Sequence, residues 1–273
     1  MAARQLAELI GSEFLGWCPW RAKFVCDALA SAAPNAALWT IVSFAPLAGE
    51  PLKVFPGSSI AAAIALCPKW GIVTLMAGEH DIEDIVVIDK PLTIRGGGVP
   101  QGIDQPLARG DHGQQATRIR VACGGRGASG SALSFADGCR DAMLCDIDFF
   151  ETPMTCSGGT PTISRCTVTS HKLCVEATNN TRVTLRDCWI RGDGWDSGAT
   201  GVLIADEAVV HAVNCHFDDF LDDLADKPCG IYVKDRGHCH VELCRFESIA
   251  RDAMVRCIPP ATVQLQSFTY VED

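Results

Sequence analysis

The residues best equipped for chemistry lie in two acidic stretches of the C-terminal third. Residues 191–201 (RGDGWDSGATG) carry Asp193, Trp195 and Asp196, with Trp189 two positions ahead of them. Residues 218–230 (DDFLDDLADKPCG) carry the doublets Asp218-Asp219 and Asp222-Asp223. Aspartates beside an aromatic suit a sugar, a Ca²⁺ ion or a basic peptide. The same residues equally make a solvated acidic face that keeps an elongated molecule dissolved. Ca²⁺ needs six or more converging oxygens, and no EF-hand or repeat-toxin spacing is present. Of the seven histidines, His211, His216, His238 and His240 cluster near the C-terminus. Grouping His216, His238 and His240 with Cys239 gives a conceivable metal set, but strand alternation sends Cys239 to the opposite face from His240. No metal centre and no cofactor is therefore expected. The chain holds 15 cysteines, none spaced C-x-x-C, so a zinc ribbon or redox motif has no footing.

These residues sit on a repeat. CVEATNNTRVTLRDCWI (174–190), GVLIADEAVVHAVNCHF (201–217), GIYVKDRGHCHVELCRF (230–246) and AMVRCIPPATVQLQSFTY (253–270) share one internal pattern. Each opens on a two-residue alternation: Val175/Ala177, Val202/Ile204, Ile231/Val233, Val255/Cys257. A second alternation follows: Val183/Leu185, Val210/Ala212, Cys239/Val241, Val263/Leu265. Three residues later comes Cys188, Cys215, Cys244 or Phe268, and two beyond that Ile190, Phe217, Phe246 or Tyr270. Alternation with period two means strands, and repeated short strands mean a solenoid whose coils pair strand on equivalent strand. The expected fold is all-β, a parallel β-helix of about seven coils over residues 51–273. Ile147, Cys166, Cys188, Cys215, Cys244 and Phe268 then form one interior column, where a thiol packs as a small apolar group. The three-residue gap ahead of each column member predicts a bend or bulge.

Upstream, Ser58 or Ser59 caps a short helix whose Ile60, Ile64 and Cys67 recur at helical spacing. GIVTLMAGEH (71–80), DIVVIDKPLTIRGGG (84–98) and TRIRVAC (117–123) read as further strands, and the helix protects the first edge. This stretch resembles the start of right-handed parallel β-helix domains of the pectin-lyase-like class, over about residues 57–270, and the resemblance implies a right-handed parallel β-helix here. Enzymes of that class act on acidic polysaccharides, so the resemblance implies a carbohydrate-active hydrolase or lyase as one reading, with Asp218, Asp219, Asp222 or Asp223 as its carboxylates. The class's other elements are missing. No Gly-His-Gly occurs, Gly237-His238 runs into Cys239, and the one Arg-x-Lys (Arg21-Ala22-Lys23) lies far away in sequence.

Residues 1–50 lack alternation and favour a short α-helical segment. FVCDALASAAPNAALWTIV (24–42) resembles the C-terminal half of an F-box, usually V-C-x-x-W-x-x-L-A-x-D-x-x-L-W. Val25, Cys26, Leu38 and Trp39 match, Asn35 replaces Asp, and Leu29 and Ala32 replace Trp and Leu. The alternative is a helical cap on the solenoid. An F-box followed by a β-helix resembles substrate receptors of cullin–RING ubiquitin ligases. That resemblance implies an adaptor partner held by Val25, Cys26, Leu38 and Trp39, and a substrate protein held by the β-helix. The leading expectation is thus non-catalytic recognition of a protein, with a glycan as the other ligand class.

Composition narrows the field. With 23 Lys+Arg against 33 Asp+Glu the formal charge is −10, and no basic stripe offers itself to phosphates, so nucleic acid is not an expected partner. No apolar run is long enough to span a bilayer, and Glu8 and Glu13 interrupt any secretory core, so the expected location is intracellular. FTYVED (268–273) supplies no evident cap for the last coil.

Overall fold

The computed structural model describes residues 51–97, 116–121, 132–192, 199–220 and 229–271. Apart from one helix, α1 (Ile60–Leu66), its regular elements are strands in three parallel sheets. Sheet A stacks β1 (Leu52–Val54), β2 (Ile72–Leu75), β5 (Thr93–Gly96), β8 (Arg140–Cys145), β11 (Thr160–Ser164), β14 (Arg182–Arg186), β17 (Val209–Val213), β20 (His238–Glu242) and β23 (Thr262–Gln266). Sheet B stacks β3 (Gly78–Ile82), β6 (Thr117–Val121), β9 (Asp148–Phe150), β12 (Thr167–Thr169), β15 (Trp189–Arg191), β18 (His216–Phe220), β21 (Arg245–Ile249) and β24 (Thr269–Val271). Sheet C stacks β4 (Val86–Ile88), β7 (Leu133–Phe135), β10 (Met154–Cys156), β13 (Leu173–Ala177), β16 (Thr200–Ile204), β19 (Cys229–Val233) and β22 (Val255–Cys257). From β2 on, the described strands visit A, B and C in strict rotation, so β2 to β22 make seven full turns and β23–β24 begin an eighth. This is a parallel β-helix.

The register is the one the repeat demands. Val175, Val202, Ile231 and Val255 are successive partners in sheet C, and Val183, Val210, Cys239 and Val263 in sheet A. Ile190, Phe217, Phe246 and Tyr270 follow one another in sheet B. Inside, Phe217 and Phe246 stack at 4.9 Å with rings 10° apart, so the phenyl column repeats at coil spacing.

The gap before each cysteine is a bend made by a single left-handed residue. Asp146, Arg165, Asp187, Asn214, Leu243 and Ser267 have φ of 63, 51, 53, 52, 56 and 53°. Each sits between a sheet A strand and the sheet B strand that follows. Backbone pairing between coils continues through the corner: Asn214 N donates to Glu242 O at 2.9 Å and Leu243 N to Gln266 O at 3.1 Å. The thiol that follows also has work at this corner. Cys166, Cys188, Cys215 and Cys244 each donate to the carbonyl two residues earlier, at 3.3, 3.2, 3.4 and 3.4 Å. Valine would fill similar space without that bond, though each of these carbonyls also accepts a backbone N–H from the preceding coil. Burial pushes the Cys166 and Cys215 thiols upward, so both remain protonated donors at neutral pH.

At the start of the solenoid, Ser59 caps α1 by accepting from Ala62 N at 3.1 Å, and Ile60, Ala63 and Ile64 are buried. α1 packs against β1 and β4, the first strands of their sheets. At the other end one expectation fails. Phe268 is not interior but 42% exposed, touching Phe246 edge-on at 6.4 Å. Burial in a solenoid column needs a coil on both sides, and Phe268 has a described neighbour only on one. No helix among the described residues is long and apolar enough to cross a membrane.

Leu243 is the least suited of the bend residues, since it is branched, apolar, 55% exposed and left-handed. Leu243→Asn, the residue used at the equivalent position 214, should stabilise the fold by about 0.5–1 kcal/mol. A higher urea midpoint with unchanged slope would show it.

Candidate functional site

Sheet B presents two outward ladders where β15, β18 and β21 lie side by side. Trp189, His216 and Arg245 are partners in one, and Arg191, Asp218 and Glu247 in the other. Residues about 27 apart in sequence thereby become neighbours at strand spacing, about 4.8 Å. Strict alternation would turn Asp219 inward after Asp218. It does not, because Asp219 itself adopts φ 63° and Phe220 takes the interior place instead. Ser248 repeats the device at φ 50°, with Ile249 buried after it. Both members of the Asp218-Asp219 doublet therefore face outward. Gly192 allows the turn beyond β15 to pass close: a Cβ there would lie 2.2 Å from the Asp219 carbonyl oxygen.

The result is a groove of about 650 Å³ lined by Trp189, Arg191, His216, Asp218, Asp219, Arg245 and Glu247. Its charges are unevenly satisfied. Glu247 Oε2 lies 2.8 Å from Arg245 and 3.1 Å from His216 Nε2. Arg191 donates to Asp219 Oδ2 at 3.1 Å. Asp218 is only 16% exposed, and its contact with Arg191 Nε is 3.9 Å, too long for a hydrogen bond. Burial raises the Asp218 pKa above the ordinary carboxylate value, opposed by His216 and Arg191. Burial also lowers the His216 pKa, against the pull of Asp218 and Glu247, favouring the neutral ring. The Trp189 ring lies on His216 at 5.5 Å, parallel within 2°, with the Arg191 guanidinium 5.6 Å from its centroid.

Of the residues expected from the sequence to bind a ligand, the fold brings Trp189, Asp218 and Asp219 together. Asp193, Trp195, Asp196, Asp222 and Asp223 lie outside the described residues, as do Val25, Cys26, Leu38 and Trp39. In sequence, residues 193–198 and 221–228 lie between β15 and β18 and the sheet C strands that follow them. Sequence reasoning missed Arg191, Arg245 and Glu247. The signal was available, because Arg245 and Glu247 occupy the same places in their repeat as His216 and Asp218. The grouping of His216 with His238 and His240 does not assemble: His216 is on sheet B and the other two on sheet A. There His240 instead meets His211, with Glu242 beside both. A larger hollow, about 970 Å³, lies at the turns from sheet C to sheet A, around Arg140, Asp141, Asn179 and Arg182, and gathers none of the expected site residues.

No protein-family model and no curated protein matches the sequence. Among solved structures the chain resembles ORF18 of Geobacillus virus E2, with TM-score 0.51 and 13% identity, over 77% of this chain and 44% of that one. It also aligns with Escherichia coli ybhc (TM-score 0.48, 10% identity, 80% and 84% covered). The pectin methylesterase from Aspergillus niger gives TM-score 0.49 and 10% identity over 80% of this chain and 84% of that one. The viral likeness is one of fold, and the chain spans less than half of that viral chain.

The raised Asp218 pKa has a thermodynamic consequence. A carboxyl whose folded pKa exceeds its unfolded one contributes stability that is present at low pH and lost as pH rises through the folded value. Asp218→Asn mimics the protonated form at every pH. The variant should match the parent in acid and become the more stable of the two as pH rises to 7, as read from urea midpoints along a pH series.

Proposed function

We propose that this β-helix is a non-catalytic recognition protein whose sheet B groove takes a Lys- or Arg-bearing segment of a partner protein. The observation that carries the reading is Asp218: a largely buried carboxylate, held outward, whose nearest described cation stops 3.9 Å short. A guanidinium or ammonium from a partner would supply the donor it lacks, and a charge-assisted hydrogen bond of that kind is worth about 1.5–3 kcal/mol. Asp219 and Glu247 extend the acidic floor, and the chain's charge of −10 draws cationic partners toward it. Trp189 is less suited to a sugar. Stacking on a saccharide needs a free aromatic face, and its ring is already engaged by His216 and Arg191.

One geometric feature favours the carbohydrate-active enzyme as a second reading. Asp218 and Glu247 are direct partners on adjacent strands, and burial makes Asp218 the readier of the two to hold a proton beside a carboxylate clamped by Arg245. The two readings separate in one set of measurements on full-length protein. An oligo-arginine peptide should bind at physiological salt, and Asp218→Asn and Glu247→Gln should each weaken it about 5- to 10-fold. Asp137→Asn, at the distant turn, should leave binding unchanged. Equal binding by all of these proteins would discard the groove as the peptide site. Reducing ends released from a polysaccharide panel, and lost in Asp218→Asn, would establish the enzyme instead.

The finer form of the reading makes the chain a substrate receptor of a cullin–RING ligase. Its support is the match of Val25, Cys26, Leu38 and Trp39 to the F-box pattern, joined to a solenoid that recognises the substrate. In this form, full-length protein captures the ligase's small adaptor, and Trp39→Ala abolishes capture while the β-rich circular dichroism stays intact. Capture undiminished by Trp39→Ala would remove the ligase from the reading and leave the groove's role untouched.

A further inference from the structure

On the outer face of sheet A, three side chains with metal-ligating atoms meet. His211 in β17 and His240 in β20 are register partners, and Glu242 lies two residues beyond His240, on the same side of its strand. A strand repeats its face every two residues, and the next coil lies one strand spacing away. The three side chains thus form the corners of a small triangle, built by the solenoid from residues 29 and 31 apart in number. We propose that His211, His240 and Glu242 bind a divalent transition ion, with Zn²⁺ the best fit. From the sequence no metal centre is expected, and His240 figures there only in a set with His216, His238 and Cys239.

The geometry argues for it in four ways. First, one ligand atom from each residue lies within 4.8 Å of the others. Both imidazole Nε2 atoms approach the same carboxylate oxygen, Glu242 Oε2, at 3.7 Å from His211 and 4.0 Å from His240. Those separations exceed a hydrogen bond, so the three groups are gathered without being bonded to one another. Ligand atoms at about 2.0–2.1 Å around tetrahedral zinc stand about 3.3 Å apart, so the two His–Glu pairs would each close by less than about 1 Å.

Second, the outer bond of one imidazole fixes its ring as a ligand needs. His240 Nδ1 lies 3.2 Å from Gln264 Oε1, the next partner along the ladder. The amide oxygen accepts, so Nδ1 carries the proton and Nε2 keeps its lone pair toward Glu242. A histidine that donates from its far nitrogen to an outer acceptor is the usual arrangement behind a metal ligand. Third, His211 Nε2 is shielded from solvent and makes no hydrogen bond. An ion would satisfy that atom. Fourth, the rings are not stacked in parallel as Trp189 and His216 are. They meet at 72° with centroids 4.7 Å apart, and both nitrogens converge on one oxygen.

Two imidazoles and one carboxylate make the donor set that borderline divalent ions prefer over Ca²⁺ or Mg²⁺, which take mostly oxygen. All three residues are part-exposed, between 32 and 44% at the side chain. Water or a ligand atom from a partner can therefore complete a fourth position. The centre is on a different sheet from the groove and stands independently of it.

The test uses full-length protein stripped of metal by chelator, then titrated with Zn²⁺ and separately with Co²⁺. One equivalent of Zn²⁺ should bind with a Kd in the micromolar range or tighter. Co²⁺ should give weak visible bands without the intense thiolate charge-transfer absorption that cysteine ligation produces. His240→Ala and Glu242→Gln should each weaken Zn²⁺ binding at least about 10-fold, and Gln264→Ala should weaken it by about 10-fold or less through the freed imidazole. His216→Ala, on sheet B, should leave it unchanged. Circular dichroism matching the parent shows that each variant is folded, and Glu242→Gln keeps the side-chain shape if His240→Ala does not fold. Failure of either ion to bind overturns the proposal. So does binding that survives both His240→Ala and Glu242→Gln, or a thiolate band in the Co²⁺ spectrum.

Discussion

Backbone pairing between coils governs everything else in this molecule. A strand of a parallel β-helix has no hairpin partner, so its N–H and C=O groups are satisfied only by the equivalent strand one turn away. That requirement fixes register, and register stacks each side chain on its counterpart. An interior position must then tolerate repetition of itself. Phenyl groups do so by parallel stacking, as Phe217 does on Phe246. Cysteines do so at the corner because they are small and because each thiol adds a second hydrogen bond to a carbonyl that already accepts a backbone N–H from the preceding coil. The corner accounts for Cys166, Cys188, Cys215 and Cys244, and neither disulfides nor redox chemistry need be invoked for these buried thiols.

The same rule applied to the outer face turns sequence into sites. Polar residues in consecutive repeats become ladders, and a ladder gathers groups that no local motif contains. In the core, like must tolerate like. On the surface, opposite charges stacked at strand spacing attract and like charges repel, and one ladder here holds both cases: Arg191 is followed by Asp218, but Asp218 is followed by Glu247, whose charge adds to the rise that burial causes in the Asp218 pKa. Asp218 is the position where compensation stops short. Its carboxylate is mostly buried and imperfectly paired, a cost to the folded state that nothing in the packing requires. Groups left in that condition are characteristic of binding sites, where the missing partner is the ligand.

How much of this could be read from residues alone follows from which physical rule set each feature. Period-two alternation and fixed offsets are long-range regularities, so the columns through Val202, Val210, Cys215 and Phe217 were legible, as was the capped helix at Ser59. The bend before each cysteine was visible as a gap, though not its cause, a residue at φ near 55°. The outward turn of Asp219 was hidden for the same reason, since alternation assumes extended backbone throughout. Glu247 and Arg245 do not stand out among runs of aspartate along the chain, because ladder neighbours become visible only when repeats are aligned. Phe268 failed differently: its pattern matches the column, but pattern carries no information on whether a further coil covers it.

The two outer faces are linked by the corner they share. His211 and His216 lie five residues apart in one coil, and Glu242 and Glu247 five apart in the next. Between them stand Asn214 and Leu243 at the bend and Cys215 and Cys244 beneath it. The left-handed residue is what sends the first His and Glu of each coil to sheet A and the second to sheet B. Without it, period-two alternation would carry His211 and His216, an odd number of positions apart, to opposite sides of a single strand. The corner thus gives one repeat two independent polar faces while keeping its thiols inside. Burial holds the Cys215 thiol in its protonated form, bonded to the carbonyl of Val213. It is therefore a poor competitor for a cation at the imidazoles and carboxylate of the outer face, because thiols ligate as thiolates and burial opposes that charge. Selectivity between the two donor sets follows from their places on either side of one layer of backbone.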